Sequence, residues 1–190
     1  IRLIGKKGKW QRCHEKKLAG LYAALPYKEK FLTRKLIYQF KYEPYLKILA
    51  KNLAEILVEH FILIGKNTDQ IWENSFLIPI PMEIKKLKKR GYNQAEELAK
   101  ELSKTLKVPL IYNNLVKIKK TSPQIELSAK ERTENVKNAF LVKNPEEIHG
   151  KKIFLVDDVY TTGSTMEECA RVLKNAGTKS VFGITIAREE

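Results

Sequence analysis

Ile153-Phe154-Leu155-Val156-Asp157-Asp158-Val159-Tyr160-Thr161-Thr162-Gly163-Ser164-Thr165 is the most informative stretch of this 190-residue chain. Ile153–Val156 is the near-continuous apolar run of a central parallel strand, buried on both faces. Two carboxylates follow, then a turn of small residues that opens a helix carrying Met166, Cys169, Ala170 and Leu173, with Gly177 in the C-cap position. The turn presents backbone N–H groups, four hydroxyls and the positive end of a helix dipole, which together suit a monophosphate. Gly163 permits close backbone approach or a positive φ. Ionised carboxylates only accept hydrogen bonds, so Asp157 and Asp158 suit two vicinal hydroxyls better than a phosphate. The element therefore offers a sugar-hydroxyl site beside a phosphate site, outside the carboxyl end of a parallel strand, where α/β sheets bind ligands. A bare Thr-Thr-Gly would be read as a solvent-facing turn; the full string 156–165 carries more.

Outward from this stretch the periodicity predicts alternating strands and helices. Ser180–Ile186 reads as a final strand. Upstream, Ser75–Ile80 is a strand stopped by Pro79 and Pro81, followed by a basic turn. A helix then runs from about Asn93 to Lys107, with Ala95, Leu98, Ala99, Leu102 and Leu106 on one face. Leu115–Ile118 is a short strand, 119–127 a polar loop, and Ser128-Ala129-Lys130-Glu131 a capping box that opens a short helix. Ala139–Val142 is extended. Two helices, Phe31–Phe40 and 45–63, precede the first strand, and residues 1–30 read as an irregular basic segment. The domain organisation is thus a basic N-terminal segment, 1–30, and an α/β domain, 31–190, with a largely parallel, right-handed sheet.

Composition bounds the function. The 43% apolar fraction is that of a soluble globular protein. No apolar run approaches the ~20 residues of a membrane span. No signal peptide is visible in a chain that begins at Ile1, so a cytoplasmic location is expected. Two cysteines, Cys13 and Cys169, make no disulfide framework, and Cys13-His14 falls short of a zinc ligand set. The formal charge is +14, and it is uneven: residues 1–51 hold 14 Lys and Arg against three acids, whereas 146–190 hold 6 against 8. A second basic run lies at Lys85, Lys86, Lys88, Lys89 and Arg90. Such asymmetry points to an anionic partner or to a merely solvated surface.

The string 156–165 resembles the 5-phosphoribosyl-1-diphosphate (PRPP) motif of type I phosphoribosyltransferases. Three further segments narrow the resemblance: Pro79-Ile80-Pro81; Arg90-Gly91-Tyr92-Asn93-Gln94-Ala95 with Leu98-Ala99; and Lys120-Thr121-Ser122-Pro123-Gln124 followed by Leu127, Arg132, Asn135-Val136 and Ala139-Phe140. In this order they are similar to the ComF family, competence-associated proteins with a phosphoribosyltransferase domain. The resemblance implies a type I phosphoribosyltransferase-like fold, a mostly parallel twisted sheet flanked by helices. Members of the family commonly begin with a four-cysteine zinc module. Here only Cys13 is a candidate remnant, so no zinc site is supported.

Carried over residue by residue, the resemblance implies that Asp157 and Asp158 hold the ribose 2′- and 3′-hydroxyls, directly or beside Mg²⁺. Tyr160, Thr161, Thr162, Gly163, Ser164 and Thr165 take the 5′-phosphate. Pro79, Ile80 and Pro81 occupy the place of the diphosphate loop, with Arg90 and neighbouring lysines as counter-charges. Residues 119–132 occupy the place of a closing loop, with Lys120, Gln124 and Arg132 as contacts. The bland alternatives are a helix cap at Asn93 and Gln94 and a solvated face at Lys85–Lys89. No catalytic base is evident. The role implied is PRPP binding in DNA uptake, alongside DNA-uptake or recombination proteins. Single-stranded DNA would be tracked by Lys6, Lys7, Lys9 and Arg12, with stacking from Trp10, Tyr22, Tyr27, Tyr38, Phe40, Tyr42 and Tyr45. The alternative is a true phosphoribosyltransferase that moves the phosphoribosyl group to a small nitrogenous acceptor and releases diphosphate.

Overall fold

The computed structural model describes residues 17–27, 32–63, 71–119 and 129–189. Among the described residues six strands, β1 (Gly20–Pro26), β2 (Ser75–Pro79), β3 (Leu115–Lys117), β4 (Phe140–Val142), β5 (Lys152–Tyr160) and β6 (Ser180–Arg188), are interleaved with α-helices. The helices are α1 (Leu32–Lys41), α2 (Leu49–Leu63), α3 (Ile84–Arg90), α4 (Gln94–Leu106), α5 (Ala129–Val136) and α6 (Ser164–Asn175). The main sheet has the order β1-β6-β5-β2 with every pair parallel, and β3 and β4 form a separate antiparallel pair. The expected parallel α/β architecture is present.

Each face of the sheet is covered by its own core. On one side Phe154, Val156 and Ile184 meet Ile37, Phe40, Leu53, Leu57, Leu98 and Leu102 from α1, α2 and α4. On the other side Ile153, Leu155 and Val181 meet Met166, Cys169 and Leu173 of α6 with Phe140 and Val142 of β4. This double burial is why β5 reads as an unbroken apolar run.

Two expectations are corrected. Residues 20–26 are not irregular: β1 joins the sheet edge in parallel with β6, from Gly20 opposite Phe182 to Pro26 opposite Arg188. Tyr22 accordingly packs on Phe61, Phe154 and Phe182, and Phe40 is fully buried, so neither offers a stacking surface. The expected basic turn after β2 is instead α3, a helix with no buried residue, closed by Gly91 in the left-handed region at φ 82°. With no apolar face to bury, it leaves no helical period in the sequence.

A carboxylate clasp joins α6 to the turn before β4. Glu168 accepts hydrogen bonds from Asn138 N (2.7 Å) and from Arg171 Nε (2.8 Å) and Nη2 (2.7 Å). The bonds from Arg171, helped by the Asn138 amide, hold the Glu168 pKa below its ordinary value of 4.5 against the opposing effect of burial. A group depressed in the native state binds fewer protons there than in the unfolded chain. Its stabilisation is therefore present above the unfolded pKa and fades as pH falls through the folded value. Glu168→Gln is expected to cost about 1–2 kcal/mol at neutral pH. In urea titrations the gap to wild type should close as pH drops below the ordinary carboxylate range; a gap independent of pH would contradict this assignment.

Candidate functional site

Where β2 leaves the sheet an opening is left along β5, and the acid pair lies there. β5 pairs with β2 only as far as Val156 opposite Pro79, but with β6 as far as Tyr160 opposite Arg188. After Pro79 the Ile80 N–H donates to the Val156 carbonyl (2.9 Å), and the chain then departs through Pro81. Asp157 and Asp158 thus sit inside the strand, just beyond the point where its neighbour leaves. That is the crevice expected at the carboxyl edge of an open α/β sheet.

Phe154 and Val156 face the first core and Ile153 and Leu155 the second, while beyond the acids Val159 packs with the first and Tyr160 with the second. The register with β6 stays unbroken across the acids, from Lys152 opposite Ser180 to Tyr160 opposite Arg188, so no bulge intervenes. Both carboxylates act electrostatically on one group. That group is Lys41, the last residue of α1, whose Nζ donates to Asp158 Oδ1 at 3.0 Å. Asp157 accepts the Asp158 backbone N–H at 2.8 Å. Burial and then the neighbouring Asp158 charge push the Asp157 pKa up to about 7, with Lys41 and that backbone hydrogen bond pulling the other way. Burial disfavours the Lys41 charge, but Asp158 and Asp157 overcome it and leave the ammonium more basic than an ordinary lysine. Two crowded carboxylates, half neutralised by one lysine, make a strong acceptor site for hydroxyls or a hard cation.

The turn after β5 is built around Gly163, at φ 79°, where any Cβ would overlap the Tyr160 ring. Tyr160 is held from outside by Arg188, whose guanidinium carbon lies 5.9 Å from the ring centre. The Thr162 and Ser164 hydroxyls lie 3.0 Å apart, and the Thr133 hydroxyl of α5 reaches Ser164 at 3.1 Å. Hydroxyls from two elements thus converge at the N-terminus of α6, an arrangement suited to an anion. Arg132 precedes Thr133 on α5, which brings this helix to the turn.

The segment 90–94 makes a set of internal contacts. Arg90 donates to the Gln94 side-chain oxygen, and its guanidinium carbon lies 6.0 Å from the Tyr42 ring centre. Gln94 Nε2 and the Tyr92 hydroxyl both donate to the Phe40 carbonyl, at 3.0 and 2.7 Å. Asn93 donates to the Ile80 carbonyl (2.9 Å) and accepts from Ala95 N (3.2 Å), so it caps α4 as well. The segment clasps the end of α1 to the end of β2, directly beneath Lys41. Pro79, Ile80 and Pro81 border the opening; Lys120 and Gln124, like Lys6, Lys7, Lys9 and Arg12, lie outside the described residues. Cys13 lies outside them too. Among the described residues no three His, Cys, Asp or Glu side chains gather to hold a metal. The carboxylates of Asp157 and Asp158 have oxygen chemistry that would suit a Mg²⁺ completing its shell with waters and ligand oxygens.

Residues 87–189 match the model of the phosphoribosyl transferase domain. The chain belongs to that family. Within it the chain is of the ComF kind. It is 36% identical over 156 residues to competence protein F of Haemophilus influenzae, covering 80% of this chain and 66% of that protein. It is 31% identical over 146 residues to the DNA utilization protein YhgH of Escherichia coli K12, covering 77% and 63%. It is 36% identical over 115 residues to competence protein ComFC of Bacillus subtilis, covering 59% and 44%. The match spans just under two thirds of the first two relatives and less than half of the third. No helix among the described residues is long and apolar enough to cross a membrane.

Lys41 and Thr133 carry no local signal and were not foreseen as site residues. Each meets the site from far along the chain, Thr133 at a separation of 31 and Lys41 at 117.

Proposed function

We propose that this phosphoribosyl transferase domain binds PRPP at the strand–turn–helix element 157–165 and serves DNA uptake by handling single-stranded DNA. The observation that carries the ligand assignment is the pairing of two crowded carboxylates with a positive-φ, hydroxyl-lined helix N-terminus, both at the open carboxyl edge of the parallel sheet. The acids accept the ribose hydroxyls, and Tyr160 to Thr165 wrap the 5′-phosphate. Pro79–Pro81 border the diphosphate, and Lys41 neutralises what the acids leave uncompensated. Mg²⁺, held by Asp157 and Asp158 together with the ligand, would supply charge neutralisation of the diphosphate. Support for the DNA role comes from the names of the relatives, competence and DNA utilization proteins, and from the basic excess in residues 1–51.

Calorimetric titration of PRPP with and without Mg²⁺ tests the ligand assignment. Wild type is expected to bind, and Asp157→Asn/Asp158→Asn to lose at least about a hundredfold in affinity, since several charge-assisted hydrogen bonds go at once. A folded wild type that gives no heat, or a double variant that binds normally, would refute it. For the DNA role, anisotropy with a labelled single strand should show binding that weakens with salt and on neutralising Lys6, Lys7 and Lys9.

A further inference from the structure

We propose that Lys41 is the resident counter-cation of the acid pair, a positioning residue that occupies Asp158 and is displaced from it when a divalent ion enters. The displacement by an ion that arrives with a phosphorylated sugar rests on the function proposed above; the occupancy does not.

Asp158 is 4% exposed and carries its charge next to a second carboxylate. Within the protein the described partner of its side chain is the Lys41 ammonium at 3.0 Å. The lysine stem is pinned: α1 ends at Lys41, the preceding residue Phe40 is fully buried, and its carbonyl accepts from both Tyr92 and Gln94. The side chain as a whole keeps 34% of its exposure, although burial bears on its ammonium. A tethered side chain that is one third exposed can swing its charge by rotamer changes alone, without loss of the helix. Two carboxylates, one of them raised to a pKa of about 7, and one ammonium leave at most one net negative charge, too little for an ion that dehydrates reluctantly. A diphosphate would add the missing negative charge and also give the displaced ammonium a new anionic partner. The 90–94 clasp then has a role that the charge of Arg90 does not explain: it sets where Lys41 begins.

A purely structural ion pair would look the same in a static structure, but it makes a different prediction for metal binding. Mn²⁺ binding, followed by electron paramagnetic resonance without any sugar phosphate, separates them. Lys41→Met and Lys41→Gln are expected to bind Mn²⁺ about tenfold more tightly than wild type, because a positive charge beside the ion has gone. Lys41→Arg should behave as wild type. Lys41→Met/Asp158→Asn should lose the gain. A folded Lys41→Met and Lys41→Gln with wild-type Mn²⁺ affinity would overturn the proposal, as would a gain that survives Asp158→Asn. Unfolding of both neutral variants, seen by circular dichroism, would overturn it too, since a displaceable counter-ion is not one the fold requires. The assay contains no PRPP, so failure of wild type to bind PRPP would strike the proposed function and leave this result standing.

Discussion

Gly163→Ala is expected to abolish PRPP binding in calorimetry and to lower the thermal midpoint by roughly 10 °C, corresponding to about 3 kcal/mol in a chain of this size. Two costs combine. The left-handed φ of 79° disfavours any Cβ, by roughly 1–2 kcal/mol. The added methyl would also overlap the Tyr160 ring, and displacing a packed side chain costs about 1–3 kcal/mol. Gly150→Ala is the control, because its φ of 68° imposes the same backbone strain while no atom lies within 4 Å of the new Cβ. The control should lose only about 1–2 kcal/mol and bind PRPP as wild type does. Equal binding by both variants would show that the 160–165 turn does not hold the phosphate.

What the sequence revealed follows a physical boundary between local and long-range information. β5, the turn and α6 were legible because a doubly buried strand is apolar at every position and a phosphate-type turn needs small residues in one unbroken string. α4 was legible from its face of Ala95, Leu98, Ala99 and Leu102 and from the Asn93 cap. β1 was not: all seven of its residues are partly buried, so no alternation shows, and its partner β6 is some 160 positions away in the chain. α3 was not, because nothing in it is buried. The site divides in the same way. Asp157, Asp158 and the turn announce themselves as neighbours, whereas Lys41 reaches Asp158 across 117 residues and the clasp joins Phe40 to residues 52 and 54 positions on. Arg90-Gly91-Tyr92-Asn93-Gln94-Ala95 was visible as a motif, but a motif shows that residues matter together and not what they touch.

Phe154→Ala is expected to be the most destabilising single change in the sheet, by about 3–5 kcal/mol, since a large side chain with no room to collapse leaves a cavity. Phe154 is 1% exposed, and its ring centre lies 4.8 Å from that of Trp72, 5.3 Å from Phe182 and 6.0 Å from Tyr22. It therefore fastens β5 to the helix-covered face and to the edge strand β1 at once. Urea unfolding followed by circular dichroism should show a lower midpoint with an unchanged slope, as for lost stability within one cooperative unit. A cost below about 1 kcal/mol would mean that the aromatic cluster is not the keystone of this face. The variant also separates two ideas of how the acid pair is placed. Phe154 lies three residues before Asp157 on the same strand, but the acids are held locally by Lys41, the 90–94 clasp and the Gly163 turn. Folded Phe154→Ala should then bind PRPP with near wild-type affinity, and PRPP at a hundred times its Kd should restore about 2.7 kcal/mol by mass action. Binding that falls in step with stability would place the control of the site in the sheet core instead.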